Sequence, residues 1–159
     1  METDLKIKRL WINKDKAHKK AWEAFLYRAG ISIEENVEYT IGLYDRDRLI
    51  GTGSIAGNVL KCIAIDEEYT GGRAINILIS HLMDVVFERG YTGCYVYTKP
   101  SASKSFEYLG FKEIARVTDK LVFMEKAVFG FPKFLEALKE KRVEGNEIAG
   151  IVMNANPFT

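Results

Sequence analysis

Apolar and polar residues follow one another along the N-terminal half in a pattern that predicts a strand, a helix and three further strands. The first strand is predicted at 6–12 and the helix at 14–29, where Gly30 ends it. We place Ala17, Ala21 and Phe25 on the buried face of this helix, with Trp22 beside them. The following strands are predicted at 38–44, 49–56 and 59–65. Polar or Gly-Asn turns separate them, so we expect antiparallel neighbours.

The C-terminal half begins with a long helix. Apolar residues recur at helical spacing over 74–89, and Gly90 ends the pattern. The remaining elements are predicted as a strand at 94–97, a helix from an N-cap at Ser101 to Leu109, strands at 112–117 and 121–126, and a helix at 132–142. We expect Phe134, Leu135 and Leu138 of the last helix to face inward. The order of elements predicts an α/β domain with a mixed central sheet flanked by helices.

The last residues have the pattern of a new unit. The apolar run from Ile148 to Met153 is typical of a buried parallel strand. Asn154, Asn156 and Pro157 then form a turn signal, and a parallel unit would need a helix next. The alternative is a short strand that completes the same domain.

Composition and charge narrow the class of protein. A chain of 159 residues allows one compact domain, and its net charge of +1 gives no reason to expect a nucleic acid or an anionic membrane as partner. No apolar stretch is long enough to cross a bilayer, and residues 1–9 do not resemble a signal peptide. Cys62 and Cys94 are far apart and have no metal-site spacing. We therefore expect a cytoplasmic protein with reduced thiols and no metal.

The titratable residues offer no convincing catalytic group. His18 lies among lysines on an exposed helix face, and His81 lies in the long helix without a spaced partner. Glu67 and Glu68 could supply a base at the start of that helix, but solvated loop carboxylates are commoner.

One segment, residues 62–74, resembles the cofactor-binding motif of the GNAT acyltransferases. In that family a strand leads into a loop of pattern R/Q-x-x-G-x-G/A and a helix, whose N-terminus holds the pyrophosphate of coenzyme A. The three signature positions fall on Thr70, Arg73 and Ile75, and none carries the motif residue. Gly71 does match a common intervening glycine. The resemblance implies cofactor contacts from the following residues: Ile63, Ala64, Ile65, Thr70, Gly71, Gly72, Arg73 and Ala74.

A second segment, residues 98–111, resembles the GNAT pattern N-x-x-A-x-x-x-Y-x-K-x-G-F. Leu109-Gly110-Phe111 fits this pattern, and Lys99 stands at the position of the Asn. The tyrosine that protonates the departing thiolate in this family corresponds to Phe106, which has no proton to give. Tyr108 is the remaining candidate for the acid, although two residues along a helix it points to a different face. The catalytic residues are therefore unknown at this stage.

The chain's end resembles another family, the HxGH nucleotidyltransferases. Asn154, Asn156, Pro157, Phe158 and Thr159 look like the first half of its nucleotide-binding turn, with Thr159 in place of the first His. Together with Thr98-Lys99-Pro100, this ending resembles the citrate lyase ligase family. The implied organisation is a GNAT-like domain at 1–128, a linker helix at 129–145, and the first strand and turn of a truncated nucleotidyltransferase domain at 146–159.

The resemblance implies a two-part reaction. The ligase family uses ATP and acetate to make acetyl-AMP and then acetylates a thiol on the citrate lyase acyl carrier subunit. That thiol belongs to a prosthetic group of the dephospho-CoA type. ATP would bind the missing domain, this domain would hold the arm or the carrier, and the chain alone is expected to be inactive. Two alternatives stay open: a stand-alone N-acetyltransferase that uses acetyl-CoA, and a non-catalytic CoA-binding module.

Overall fold

A mixed sheet forms the centre of the molecule in a computed structural model that describes residues 4–145 and 147–151. Within these residues seven strands pair in the order β1-β2-β3-β4-β5-β7-β6, and all neighbours are antiparallel except β4 and β5. The strands are β1 Leu5–Arg9, β2 Tyr39–Asp45, β3 Arg48–Ala56, β4 Val59–Ile65, β5 Gly93–Thr98, β6 Lys112–Val117 and β7 Leu121–Ala127. The helices are α1 Lys16–Arg28, α2 Arg73–Glu88, α3 Ser103–Tyr108 and α4 Phe131–Glu140.

The predicted order of elements is confirmed, and β4 and β6 have the predicted bounds. The first strand is shorter than predicted and ends at Arg9. Leu10 and Ile12 instead turn into the core beneath α1, where they pack with Trp22. The prediction failed there because burial, rather than strand pairing, makes this segment apolar.

Two apolar layers hold helices on opposite faces of the sheet. The larger layer lies under α2 and includes Leu78, Leu82, Val96 and Met124, all buried. The smaller layer lies under α1. Each large side chain that is fully buried contributes roughly 1.5–3 kcal/mol relative to exposure, so these two layers account for most of the favourable free energy of folding.

The buried face of α1 differs from the prediction. Trp22 and Phe25 are buried together with Leu26, whereas Ala17 and Ala21 are exposed. Three large side chains at positions 22, 25 and 26 share one side of a helix, and burying them removes far more apolar surface from water than burying alanines.

The start of α3 also differs from the prediction. Ser101 is not its N-cap, because a 3-10 turn spans Pro100–Ala102 and α3 begins at Ser103. The fixed backbone of Pro100 suits the first position of such a turn. The hydroxyl of Ser103 donates a hydrogen bond of 2.9 Å to the carbonyl of Pro100.

The parallel pair β4 and β5 is joined only at one end. Val59 lies opposite Tyr95 and Leu60 lies opposite Val96, and no later residues of the two strands pair. A bulge in β4 follows at once, where Cys62 has a positive φ of 51° and the register with β3 shifts between Thr52 and Ser54. The two strands therefore diverge and leave a cleft between them.

One expectation about the C-terminal part is wrong, and the described residues cover a second only in part. The apolar side chains of α4 do not face inward: Phe134, Leu135 and Leu138 are all exposed, because no other described element covers them. Residues 147–151 form no strand, and Ile148 and Ile151 are exposed. The rest of the predicted strand and nucleotide-binding turn lies outside the described residues, namely Met153, Asn154, Asn156, Pro157, Phe158 and Thr159.

A candidate cofactor cleft between diverging strands

The cleft between β4 and β5 is the candidate functional site. It consists of two adjoining cavities of about 420 and 590 Å³. Both are lined by Ile31, by Ile63, Ala64 and Ile65 of β4, and by Ala102 at the start of α3. The size is typical of a site for a small molecule or a cofactor arm.

One wall of the cleft is an unpaired strand edge. Beyond Leu60 the side of β4 that faces β5 has no strand partner among the described residues. The predicted cofactor residues Ile63, Ala64 and Ile65 lie along this edge. An extended ligand that carries amide groups could pair with their main chain as an added strand does.

The glycine loop lies where β4 passes into α2. Gly72 is the N-cap of α2, has φ 95°, and offers no side-chain cap to the first turn of this helix. A side chain built at Gly71 would meet nothing within 4 Å. The first N–H groups of an uncapped helix attract anions, so the loop from Thr70 to Ala74 is open to a phosphate group.

Acidic residues precede this loop, and one arginine holds two of them. Arg48 donates hydrogen bonds of 2.8 Å to Asp66 and 2.7 Å to Glu68. The pKa of Asp66 is lowered, first by a hydrogen bond from the Glu68 N–H and further by Arg48. Glu68 is therefore tied up in an ion pair, while Glu67 is exposed to solvent. Neither arrangement is typical of an activated base.

The position of the usual GNAT acid is part of the core. Phe106 is 2% exposed and its ring meets the edge of Phe111 at a centroid distance of 5.5 Å. Tyr108 is 89% exposed and does not line the cleft. This placement counts against Tyr108 as the acid.

Tyrosines of β5 stand on the cleft side of the sheet. Tyr95 and Tyr97 both stack on Phe123, with ring centroids 5.6 and 4.5 Å apart. Tyr97 also lines the cleft, whereas the hydroxyl of Tyr95 donates a bond of 3.3 Å to Glu125. Tyr97 therefore both packs against Phe123 and lines the cleft.

Three charged residues and a thiol line the first cavity together, although nothing in the sequence places them side by side: Glu34, Lys61, Lys99 and Cys62. Lys61 forms an ion pair with Glu34, and Lys99 lines the same cavity. The thiol of Cys62 points toward the carbonyl of Ser32 at 3.8 Å. Burial is the main cause that raises the pKa of Cys62, so this thiol stays protonated near neutral pH. Only the polar position of Lys61 within an apolar strand could have indicated the ion pair.

The remaining candidates lie away from the cleft. His18 accepts a hydrogen bond of 3.0 Å from the Trp11 N–H, and His81 pairs with the hydroxyl of Tyr39 at 2.9 Å. Both are structural contacts. Among the described residues no cluster of His, Cys, Asp and Glu could hold a metal ion. None of the helices in that part of the chain is long and apolar enough to span a membrane.

Sequence comparison relates the chain to one group of enzymes. No protein-family model matches it. The citrate (pro-3S)-lyase ligase of Klebsiella pneumoniae is 38% identical over 153 residues, which are 96% of this chain and 45% of the relative. The corresponding ligase of Escherichia coli K12 is 37% identical over 135 residues, or 85% and 38% of the two chains. The chain thus spans less than half the length of the curated relatives it matches.

Solved structures establish the fold. Escherichia coli ElaA superposes with a TM-score of 0.67 at 11% identity, covering 77% of this chain and 99% of that one. FeeM, an N-acyl amino acid synthase from uncultured soil microbes, superposes with a TM-score of 0.65 at 13% identity, covering 80% of this chain and 92% of that one. The ribosomal-protein-S18-alanine N-acetyltransferase of Escherichia coli superposes with a TM-score of 0.60 at 18% identity, covering 78% of this chain and 94% of that one. The predicted GNAT-like fold is confirmed.

Proposed function

The chain is homologous to the citrate lyase ligases over nearly all of its length and has the GNAT fold, and on this premise we propose that its cleft binds the prosthetic arm of the citrate lyase acyl carrier. The arm is a thiol of the dephospho-CoA type. The protein is then the cytoplasmic, arm-holding part of a ligase whose ATP chemistry takes place elsewhere in the whole enzyme.

In the proposed reaction of the whole ligase, the arm supplies the thiol that accepts the acetyl group. Acetate and ATP give acetyl-AMP and pyrophosphate in the part of the ligase that this chain does not match. The thiol of the arm loses its proton to solvent and its sulfur attacks the acetyl carbon. The bond from that carbon to the phosphate oxygen breaks, and AMP leaves with the electron pair. Holding the thiol close to the acetyl carbon raises the rate of this attack.

The single observation that carries the proposal is the coincidence of an unpaired β4 edge with an uncapped α2 N-terminus. Gly72 precedes α2 and is separated from the end of β4 by a 3-10 turn at Glu67–Tyr69, and Ile75 in the first turn of α2 lines the cleft together with Ile63 and Ile65. A pantetheine arm has amides for the strand edge and a pyrophosphate for the helix end. One ligand can therefore satisfy both features at once.

Phe106 favours this proposal over a stand-alone N-acetyltransferase. Transfer from acetyl-CoA to an amine releases a thiolate, which the family protonates with a tyrosine at this position. The buried ring of Phe106 has no such proton. When the arm is instead the acceptor of the acetyl group, its sulfur loses a proton and no acid is required.

A purely CoA-binding module remains the second candidate, because the same cleft would serve it. The two differ in ligand preference. A ligase domain should prefer dephospho-CoA, since its natural arm is of that type, whereas a CoA sensor should prefer CoA with its 3′-phosphate. Comparing the two ligands by calorimetry discriminates the candidates.

Dephospho-CoA binding to the 159-residue chain tests the proposal. We expect calorimetry to detect binding and the melting temperature to rise with ligand concentration, by mass action. Gly71→Asp places a carboxylate at the pyrophosphate position and should weaken binding by at least about tenfold, equivalent to about 1.4 kcal/mol. Because a side chain at Gly71 has open space, the fold should persist.

Gly71→Ala is the matched control, since it adds a side chain without charge. It should bind dephospho-CoA as the original protein does, and both variants should keep the melting temperature of the ligand-free protein. If the original protein shows no binding at millimolar dephospho-CoA, the arm does not bind in this cleft and the proposal fails.

A further inference from the structure

One side of the C-terminal half of the sheet has no helix over it. Leu121, Phe123 and Tyr97 alternate with residues that face α2, so they lie on the side of the sheet that α1 covers further along. Here no described element takes the place of α1, and Tyr97 is 54% exposed. Soluble proteins usually bury this face of a sheet.

Helix α4 adds a second uncovered surface beside the first. Its start is fixed to the same side of β7, because the Phe131 N–H donates a bond of 2.8 Å to the buried carboxylate of Glu125. The apolar side chains of α4 recur at spacings of three and four residues, and Phe134 and Leu138 are 57% and 49% exposed. We define the open apolar face as Tyr97, Leu121, Phe123, Phe131, Phe134, Leu135 and Leu138.

A helix of this length needs packing to persist. Isolated helices shorter than roughly 12–15 residues are marginal in water, and amphipathic ones are stabilised mainly by burying their apolar side. The ten residues from Phe131 to Glu140 bury none of their side chains. Monomers rarely leave contiguous apolar patches of more than a few hundred Å². The open apolar face therefore has the properties of an interface.

We propose that the open apolar face binds the part of the ligase that the relatives possess beyond the region matched by this chain. That part makes up more than half of each relative, since the matched region is 45% of the Klebsiella pneumoniae protein. It is the partner that the family makes available in a fixed one-to-one ratio.

The position of the face relative to the cleft supports this occupant. Tyr97 and Leu121 belong to the open apolar face and also line the cleft. A domain seated on the face would cover the side of the cleft that Tyr97 and Leu121 line. This step rests on the proposed function: a donor domain placed there meets the thiol of an arm that enters from the α2 end.

Binding of the unmatched part of the Klebsiella pneumoniae ligase, expressed on its own, tests the proposal. We expect it to bind the 159-residue chain in biolayer interferometry. The double variant Phe134→Ser/Leu138→Ser should weaken binding by about tenfold or more, equivalent to about 1.4 kcal/mol. The matched control, Lys133→Ser/Glu136→Ser, has the same helix and an unchanged net charge and should bind as the original does. Equal binding by both double variants, or no binding by the original chain, overturns the proposal.

A fusion of the 159-residue chain with the unmatched part of the ligase allows the same test if the unmatched part folds poorly on its own. In the fusion, amide hydrogen exchange along α4 should slow relative to the chain alone, and Phe134→Ser/Leu138→Ser should restore fast exchange. Equal exchange in fusion and chain overturns the proposal. So does sedimentation that shows the chain alone to dimerise through this face, because a second copy would then be the occupant.

The outcome is separable from that of the proposed function. Dephospho-CoA calorimetry on Phe134→Ser/Leu138→Ser reports only on the cleft, and interferometry reports only on the face. If the chain binds the unmatched part of the ligase but not dephospho-CoA, the proposed function is rejected. If it binds dephospho-CoA but not the unmatched part, the interface is rejected.

Discussion

At the scale of single residues, the burial of Cys94 makes the stability of the fold depend on pH. Its side chain is fully buried in the layer under α2. Desolvation raises its pKa from 9.0 to about 12, and Lys126 offsets this only in part. The folded protein therefore keeps the thiol neutral at a pH where the unfolded chain ionises it. The stabilisation is fully present below pH 9 and is lost as the pH rises toward 12.

We expect the free energy of unfolding to fall by about 1.4 kcal/mol per pH unit from this group above pH 9. Urea melts of the original protein and of Cys94→Ala, from about pH 8 to about pH 11, measure it. The alanine variant loses a constant amount through its cavity, so the difference between the two proteins should shrink with pH. Parallel profiles would contradict the assignment. Cys62→Ala, at a thiol whose pKa burial also raises, should show a pH trend in the same direction.

At the scale of elements, the junction of β7 and α4 depends on one carboxylate. Glu125 is buried, accepts from the Phe131 N–H at 2.8 Å, and accepts from the Tyr95 hydroxyl at 3.3 Å. A side chain at Gly130 would come within 2.8 Å of this carboxylate, so glycine is required for the close approach. The negative charge of the carboxylate also interacts favourably with the positive N-terminal end of the α4 dipole.

Glu125→Ala should lower the free energy of unfolding by about 1–2 kcal/mol, because it leaves a helix start and the partly buried hydroxyl of Tyr95 without their acceptor. Urea melts measure the loss, and exchange of the Phe131 amide should become faster. Glu136→Ala, on the exposed side of the same helix, should change stability by less than about 0.5 kcal/mol. Unchanged amide exchange in Glu125→Ala would show that the carboxylate does not cap α4.

The elements themselves could be predicted because their signals are local. The bounds of β4 follow from an apolar run between turns, and those of β6 follow from the turn signals at Gly110 and at residues 118–120 on either side of it. The cleft could not be predicted, since it depends on a bulge at Cys62 and on where β4 and β5 stop pairing. These are contacts between distant segments. Amphipathicity likewise identified the apolar side of α4 but could not tell what covers it.

The same limit applies to the candidate site. The loop at Gly71 and Gly72 was identified from glycine type and its place before a helix. The ion pair of Lys61 with Glu34 joins residues far apart in sequence, so no spacing could indicate it. The loss of the acid at Phe106 was visible only by comparison with a family pattern.

At the scale of the whole molecule, the position of the usual GNAT acid holds no proton donor. The cleft is formed, but its usual proton donor is a buried phenylalanine, and the chain matches less than half of each ligase. We expect the release of thiol from acetyl-CoA, with a panel of amines, to stay at the uncatalysed rate. Tyr108→Phe should leave it unchanged. A robust rate that Tyr108→Phe abolishes would show that Tyr108 is the acid after all.

The narrow joint between β4 and β5 has a mechanical consequence. Among the residues that the structure describes, strands β1–β4 pair with strands β5, β7 and β6 at two positions, Val59 with Tyr95 and Leu60 with Val96. Helix α2 braces the two parts on one side only. We therefore expect the two parts of the sheet to move relative to each other most easily at this short joint, next to the cleft. An extended ligand that pairs with the free edge of β4 should then restrict movement of the two parts of the sheet relative to each other.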